Sequence, residues 1–296
     1  MKMKKAIVAL AGLALTGFAF GQANDTLAKI KGSGKVVMGV RDSSVGTSYA
    51  LGDNKYAGYH VELCERILKA VVPTAKVEYT VVTSANRIPL VQNGTVDIEC
   101  GTTTNNTARK EQVSFALTTL VTEVRMAVRA NSGITSITQL NGKNVATTTG
   151  TTSVQTLRKN EKANGIDFKE IYGKDHSDSF LLLEAGRADA FVMDDNILAG
   201  NIANSKNPAD FKLAGEVLNV EPIAIMFRKD DPAFKKAVDD QIRGMMKSGD
   251  LAKLYAKWYT SPIPPKNSNL NLAMGDTLKA LIANPNDNPM ETYAKK

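Results

Sequence analysis

The sequence predicts an α/β protein of two lobes, and three observations lead there. Short apolar strands alternate with amphipathic helices over residues 35–100, the rhythm that builds a parallel sheet. After a break near Thr122 the same rhythm restarts and runs to about Asn219. One strand and two amphipathic helices then follow, and those helices need an earlier sheet to pack on.

Residues 26–34 read as a short helix with a glycine stop, and 35–41 (KVVMGVR) as a buried strand that leaves Arg41 at its carboxyl end. Over 58–72, Val61, Leu63, Ile67, Leu68 and Val71 recur at helical spacings, so this helix packs on a sheet. Residues 76–82 alternate as a strand, 86–93 form a short helix stopped by Gly94, and 96–100 make the next strand. Two such units in succession predict a parallel sheet. Strands follow at 124–130 and 144–149, then a helix at 153–162. Thr148, Gly150 and Thr151 therefore lie at a helix N-terminus, where unpaired amides and the helix dipole favour an anion. Helix capping is the better reading for Thr152 or Ser153.

A strand at 168–172, a helix at 178–185, a strand at 190–193 and a helix at 196–203 complete the second rhythm. Residues 222–228 read as one strand, and 232–246 as a helix with Phe234, Ala237, Val238, Ile242 and Met245 on one side. On the helix at 250–259, Leu251, Leu254, Tyr255 and Trp258 read as core. Pro262, Pro264 and Pro265 break the pattern before a short helix at 276–283.

The 296 residues suffice for two domains of ordinary size. Lys2, Lys4 and Lys5 precede an apolar run over 6–20 and the small residues Ala19, Gly21 and Ala23. That is the three-part pattern of a secretory signal peptide, with cleavage expected after Gly21 or Ala23. The run is too short for a permanent anchor, and with Cys64 the first cysteine no lipid anchor is indicated. Removing the three signal lysines lowers the formal charge from +7 to +4. Export and the lack of a basic run interleaved with aromatics argue against nucleic acid as a partner.

His60, Cys64, Cys100 and His176 lack paired ligand spacing, so no metal site is expected, and no cofactor motif is present. In an oxidising compartment Cys64 and Cys100 have the option of a disulfide, worth roughly 4 kcal/mol for a loop of about 35 residues. The spacing leaves that open.

The chemistry concentrates in residues 83–110, TSANRIPLVQNGTVDIECGTTTNNTARK. Ser84 and Arg87 follow one predicted strand, and Thr102, Thr103, Thr104 and Arg109 follow the next. Ligands of open α/β sheets sit at such carboxyl ends. A guanidinium fork matches a carboxylate, and threonine hydroxyls add donors of the same sense. Singly, each arginine reads as a solvated charge; together they read as a cradle for a small anion.

NRIPLVQNGTVDIECGTTTNN resembles the same region of the glutamate/aspartate-binding proteins of bacterial ABC importers, in the type II periplasmic binding protein superfamily. VRDSSVGTSYAL, TTGTTS, KDHSDSF, AFVMDDNILAG, RKDDPAFKK and SPIPPKNSNLN resemble that family in the same order. The resemblance implies a two-lobed type II periplasmic binding protein fold with a central sheet in each lobe and two hinge crossings. The signal peptide would be 1–23, the first lobe 24–121 plus 220–296, and the second lobe 122–219.

It also implies a ligand set for a dicarboxylic amino acid. Arg109, Thr104 and Thr102 would take the α-carboxylate, helped by Thr148 and Thr151. Arg41 and Arg87, with Ser84 and His176, would take the side-chain carboxylate. Asp194 would face the ammonium and Asp195 would cap the helix that follows. The family has serine where this chain has Thr102, which keeps the hydroxyl. It has a cysteine near Ile225 and none at Cys64, so it implies no disulfide pairing. The expected partner is an ABC permease at the inner membrane, and the protein is expected to be a periplasmic monomer without cofactor or catalysis. The alternatives are a binder of another polar amino acid or organic acid, or a cyclohexadienyl-dehydratase-like enzyme using His176 and Asp194. Arg41 and Arg87 argue against a neutral ligand.

Overall fold

The computed structural model describes residues 25–293, so the expected signal peptide lies outside the described residues. The chain opens with α1 (Thr26–Ser33) and β1 (Lys35–Val40). A small antiparallel sheet of β2 (Ser43–Ser44), β3 (Ser48–Gly52) and β4 (Lys55–Ala57) follows. Then come α2 (Tyr59–Val71), β5 (Lys76–Val81), α3 (Arg87–Gln92), β6 (Ile98–Glu99), α4 (Thr107–Lys110) and β7 (Val113–Phe115). The second run is β8 (Leu120–Arg129), β9 (Asn144–Thr148), α5 (Thr152–Asn164), β10 (Lys169–Gly173), α6 (His176–Glu184), β11 (Ala190–Asp194), α7 (Asp195–Asn204) and β12 (Phe211–Ile223). The chain returns through β13 (Met226–Arg228), α8 (Pro232–Ser248), α9 (Asp250–Tyr259), β14 (Pro262–Ile263), β15 (Ser268–Asn269) and α10 (Asp276–Ala283).

Two five-stranded sheets organise these elements, in the orders β5-β1-β6-β13-β7 and β10-β9-β11-β8-β12. Both are mixed, where repeated strand–helix units predict parallel sheets. β5, β1 and β6 run parallel, but β13 is antiparallel to both its neighbours. In the other sheet β10, β9 and β11 are parallel, while β8 and β12 are antiparallel. The cause is the path of the chain. It leaves the first sheet along β8 and comes back along β12, paired from Leu120 with Ile223 to Arg129 with Phe211.

β12 was not legible in the sequence before Pro222, because its ladder shifts register between Ala214 and Asn219 and its alternation breaks there. The single strand expected at 222–228 is the end of β12 and the separate β13. The polar segment that forms β2, β3 and β4 carries no strand-like alternation either.

The core follows the lobes. α2 buries Tyr59, Val61, Leu63, Ile67 and Leu68 against Val36, Met38 and Ile98 of the first sheet. α8 and α9 join the same cluster through Phe234, Val238, Ile242, Leu251, Leu254 and Trp258, with Met246 inward and Met245 only partly covered. α8 starts on a clear signal: Asp231 accepts from the Phe234 amide at 3.0 Å, with Pro232 in the first turn. Each face of the second sheet has its own apolar cluster, around Val124, Val145 and Val192 on one side and Ala127, Phe180 and Phe191 on the other. Cys64 of α2 and Cys100, just past β6, form a disulfide with their Cα atoms 6.4 Å apart. Among the described residues no helix is long and apolar enough to cross a membrane.

Candidate functional site

The carboxyl ends of β1, β6, β9 and β11 face one another across the gap between the sheets, and the predicted residues collect there. Ser84, Arg87, Thr102, Thr104, Thr151, His176 and Asp194 line a common cavity with about 190 Å³ of atom-free space. Thr152, Met193 and Ile197 complete its wall. The volume open to a water-sized sphere is only about 10 Å³, so the walls stand almost in contact. Arg41, Arg109 and Thr148 stand one layer behind it.

The cations are held by partners that leave donors free. Arg41 continues β1, with its amide donating to Ser48 Oγ at 2.9 Å and its Nη2 to Asp175 Oδ1 at 2.6 Å. Its Nε and Nη1 are buried and find no partner among the described residues. Arg87 opens α3 and donates from Nη1 to the Thr102 carbonyl at 3.0 Å, while its buried Nε is likewise unpartnered among the described residues. Arg109, on α4, donates to the Thr104 carbonyl at 3.0 Å and across the gap to the Gly150 carbonyl at 3.4 Å. Buried donors left unmade cost about 1–3 kcal/mol each, which marks the cluster as prepared for an acceptor. Burial, and the guanidinium of Arg109, lower the Arg87 pKa to about 9 against the opposing charge of Glu99. Burial also lowers that of Arg109, offset by Glu221, Asp194 and Glu99.

His176 is fully engaged. Arg41 Nη2 can only donate, so His176 Nε2, 3.3 Å away, accepts, and the ring proton sits on Nδ1 facing Thr148 Oγ1 at 3.0 Å. Thr148 in turn lies 2.9 Å from Ser179 Oγ. Burial, then the charge of Arg41, push the His176 pKa down to about 3, so the ring is neutral. Asp175, which carries the Arg41 pair, is pushed up by burial but held below the usual range by Arg41 and His176. Thr151 donates to the Thr148 carbonyl at 2.8 Å, and Ser84 Oγ has no partner among the described residues.

Of the acids at the site the sequence marked Asp194 but not Glu221, Glu99 or Asp175. Asp194 ends β11 with Oδ1 buried and unpartnered among the described residues, and burial, then Glu221 and Asp195, raise its pKa well above the ordinary aspartate value. Glu221, on β12, is fully buried and accepts from the hydroxyls of Thr104 and Thr152. Glu99, also fully buried, accepts from Thr103 at 2.7 Å. In VDIEC two acids alternate with apolar residues inside a strand, a signal of buried charge that could have marked Glu99. Nothing in the local pattern marks Glu221 or Asp175.

Two capping expectations are corrected. Asp194, not Asp195, holds the N-cap position of α7, without a side-chain cap bond. Asp195 lies inside the first turn, and its Oδ1 accepts from the Glu123 amide of β8 at 3.2 Å and from Asn196 at 2.8 Å, so it tethers the helix to the crossing strand. Thr152 does not cap α5 either: the N-cap is Thr151, and the Thr152 hydroxyl is drawn instead to the buried Glu221 carboxylate. Ser153 Oγ is buried without a partner among the described residues.

Residues 36–261 match the family described as bacterial extracellular solute-binding proteins, family 3. The L-glutamate/L-aspartate-binding protein of Pseudomonas aeruginosa is 45% identical over 273 residues, covering 90% of this chain and 90% of that protein. The glutamate/aspartate import solute-binding protein of Escherichia coli K12 is 42% identical over 298 residues, covering 97% of this chain and 99% of that protein. Among solved structures, the cysteine-binding protein from Campylobacter jejuni superposes with a TM-score of 0.71 at 26% identity, over 85% of this chain and 100% of its own.

Proposed function

The chain belongs to the bacterial extracellular solute-binding proteins of family 3, and on that premise we propose that it captures L-glutamate or L-aspartate between its lobes for an ABC importer. One observation carries this reading: the buried guanidinium of Arg87 and the buried carboxyl of Asp194 face one cavity, with Arg41 and Arg109 directly behind. A solute with two carboxylates and one ammonium needs two cationic clusters and one acid in a dry site.

We assign the side-chain carboxylate to Arg87, Ser84 and the free donors of Arg41, with His176 orienting Arg41 through its ring nitrogen. The α-carboxylate falls to Arg109, Thr102 and Thr151, and the ammonium to Asp194. Lobe one is taken as 24–121 plus 220–296 and lobe two as 122–219, so each carboxylate cluster draws on both. A ligand held first by one lobe gains its remaining partners only on closure, and that difference drives the lobes together. The closed surface is then what the permease at the inner membrane reads. The protein works as a monomer, exported to the periplasm behind the signal peptide of 1–23. It binds and releases its solute unchanged, as the matched relatives' names imply.

The test is to denature the protein purified from cells and identify what it releases by mass spectrometry. Stoichiometric glutamate or aspartate is the expected outcome. A neutral amino acid or a cyclic acid at that stoichiometry contradicts the proposal.

A further inference from the structure

We propose that Glu221 is a further ligand-positioning residue, a latch between the lobes that turns the hydroxyls of Thr104 and Thr152 into acceptors for the ligand's ammonium group. The inference rests on the amino-acid-binding reading above and deepens it. Glu221 lies fully buried near the end of β12, where the chain re-enters the first sheet. Its Oε2 accepts from Thr104 Oγ1, on the loop after β6, and from Thr152 Oγ1 at 2.7 Å, in the first turn of α5. The two hydroxyl oxygens are 3.2 Å apart.

Each threonine hydroxyl has a single proton. A carboxylate oxygen is a stronger acceptor than a neutral hydroxyl, so both protons go to Glu221 and the contact between the hydroxyls carries none. What Thr104 and Thr152 offer the cavity they both line is lone pairs alone. Asp194 Oδ1, unpartnered among the described residues, lines the same cavity. Once Asp194 ionises, its Oδ1 and the two hydroxyl oxygens give three acceptors for the three N–H groups of an ammonium. Thr104 therefore moves from the carboxylate subsite, where the resemblance placed it, to the ammonium subsite.

The same bonds bear on closure. Thr104 follows a strand of the first sheet and Thr152 follows a strand of the second, so one carboxylate oxygen can hold both only when the lobes meet. Glu221 thereby favours the closed state and sets the polarity of the ligand's amino end together.

The test compares L-glutamate with 2-oxoglutarate, which keeps both carboxylates but lacks the ammonium. Affinities are measured by calorimetry, or by displacement where binding is weak, for wild type, Glu221→Gln, Thr152→Val and the double variant. The preference for L-glutamate over 2-oxoglutarate should fall about tenfold or more in each single variant, the scale of a charged hydrogen bond. The double variant should lose little beyond Glu221→Gln, since both changes break one latch. Thr152→Val keeps the test alive if Glu221→Gln fails to fold. An unchanged preference in the folded variants overturns the proposal, as do losses that simply add. If wild type binds neither acidic amino acid, the parent reading fails instead.

Discussion

Gly150 is a point of close approach between the second lobe and the first, at φ +80°, and a Cβ there would lie 2.8 Å from Ala85 Cα and N and 2.9 Å from Ser84 C. Ordinary contact begins at 3.4 Å, so Gly150→Ala is about 0.6 Å short of room against backbone atoms that cannot swing aside. Two costs follow, and they separate. The left-handed conformation costs alanine about 1 kcal/mol, in open and closed forms alike, so it cancels from affinity and shows as a Tm loss of a few degrees. The clash, about 1–3 kcal/mol for overpacking, falls on the closed form alone. Ligand affinity should therefore drop about 5- to 150-fold. The drop should be equal for L-glutamate and L-aspartate, because the added methyl meets Ser84 and Ala85 backbone and the Arg109 bond to the Gly150 carbonyl is retained. Titration calorimetry of the folded variant measures it. Unchanged affinity would refute closure at this contact, and unequal losses would show that Gly150 acts on the ligand directly.

Other perturbations test separate parts of the site. Arg41→Ala and Arg87→Ala should each weaken acidic ligands by about tenfold or more while changing amide analogues little, since an amide does not need the guanidinium charge; competition binding with L-glutamate and L-glutamine reads the difference. Asp194 holds its proton to higher pH than an ordinary aspartate, because burial and then Glu221 raise its pKa. An arriving ammonium favours the ionised form, so binding should release a proton, in whole or part, and weaken as pH falls through the range of that raised pKa. Calorimetry in buffers of different ionisation heat counts that proton, and Asp194→Asn should abolish it. His60, bonded to the Gly101 carbonyl at 2.6 Å and Thr119 Oγ1 at 2.9 Å, has its pKa lowered by burial from 6.5 to about 4. Its folded pKa lies below the unfolded one, so this stability is complete above pH 6.5 and is lost toward pH 4, by about 1.4 kcal/mol per pH unit. Urea denaturation at pH 7 and pH 5 should show a shallower loss in His60→Gln than in wild type.

Much of this was legible in the residues themselves. Periodicity located α2, α8 and α9 because each has one apolar face, and the strands β1, β5 and β9 because each is short and bounded by turn residues. Sheet polarity was not legible: the direction of β12 and β13 depends on where the chain returns, which no local pattern encodes. The site divides the same way. Arginines and hydroxyls announce themselves after strand ends, so Arg87, Ser84, Thr102 and Thr104 could be singled out from sequence, and they line one cavity. The acids that balance them come from distant places. Asp175 meets Arg41 across 134 residues and Glu221 meets Thr104 across 117, separations at which sequence gives no register. The disulfide was open for the same reason, since Cys64 and Cys100 become neighbours only when α2 packs beside β6.

Titration calorimetry of the wild-type protein with L-glutamate, L-aspartate and L-glutamine bears most directly on the convergence of Arg41, Arg87, Arg109 and Asp194 around one solute. The account predicts one acidic amino acid bound per chain at micromolar affinity or tighter, about −8 kcal/mol, with L-glutamine much weaker. No heat from either acidic amino acid up to millimolar concentration, or L-glutamine bound as tightly, would contradict it.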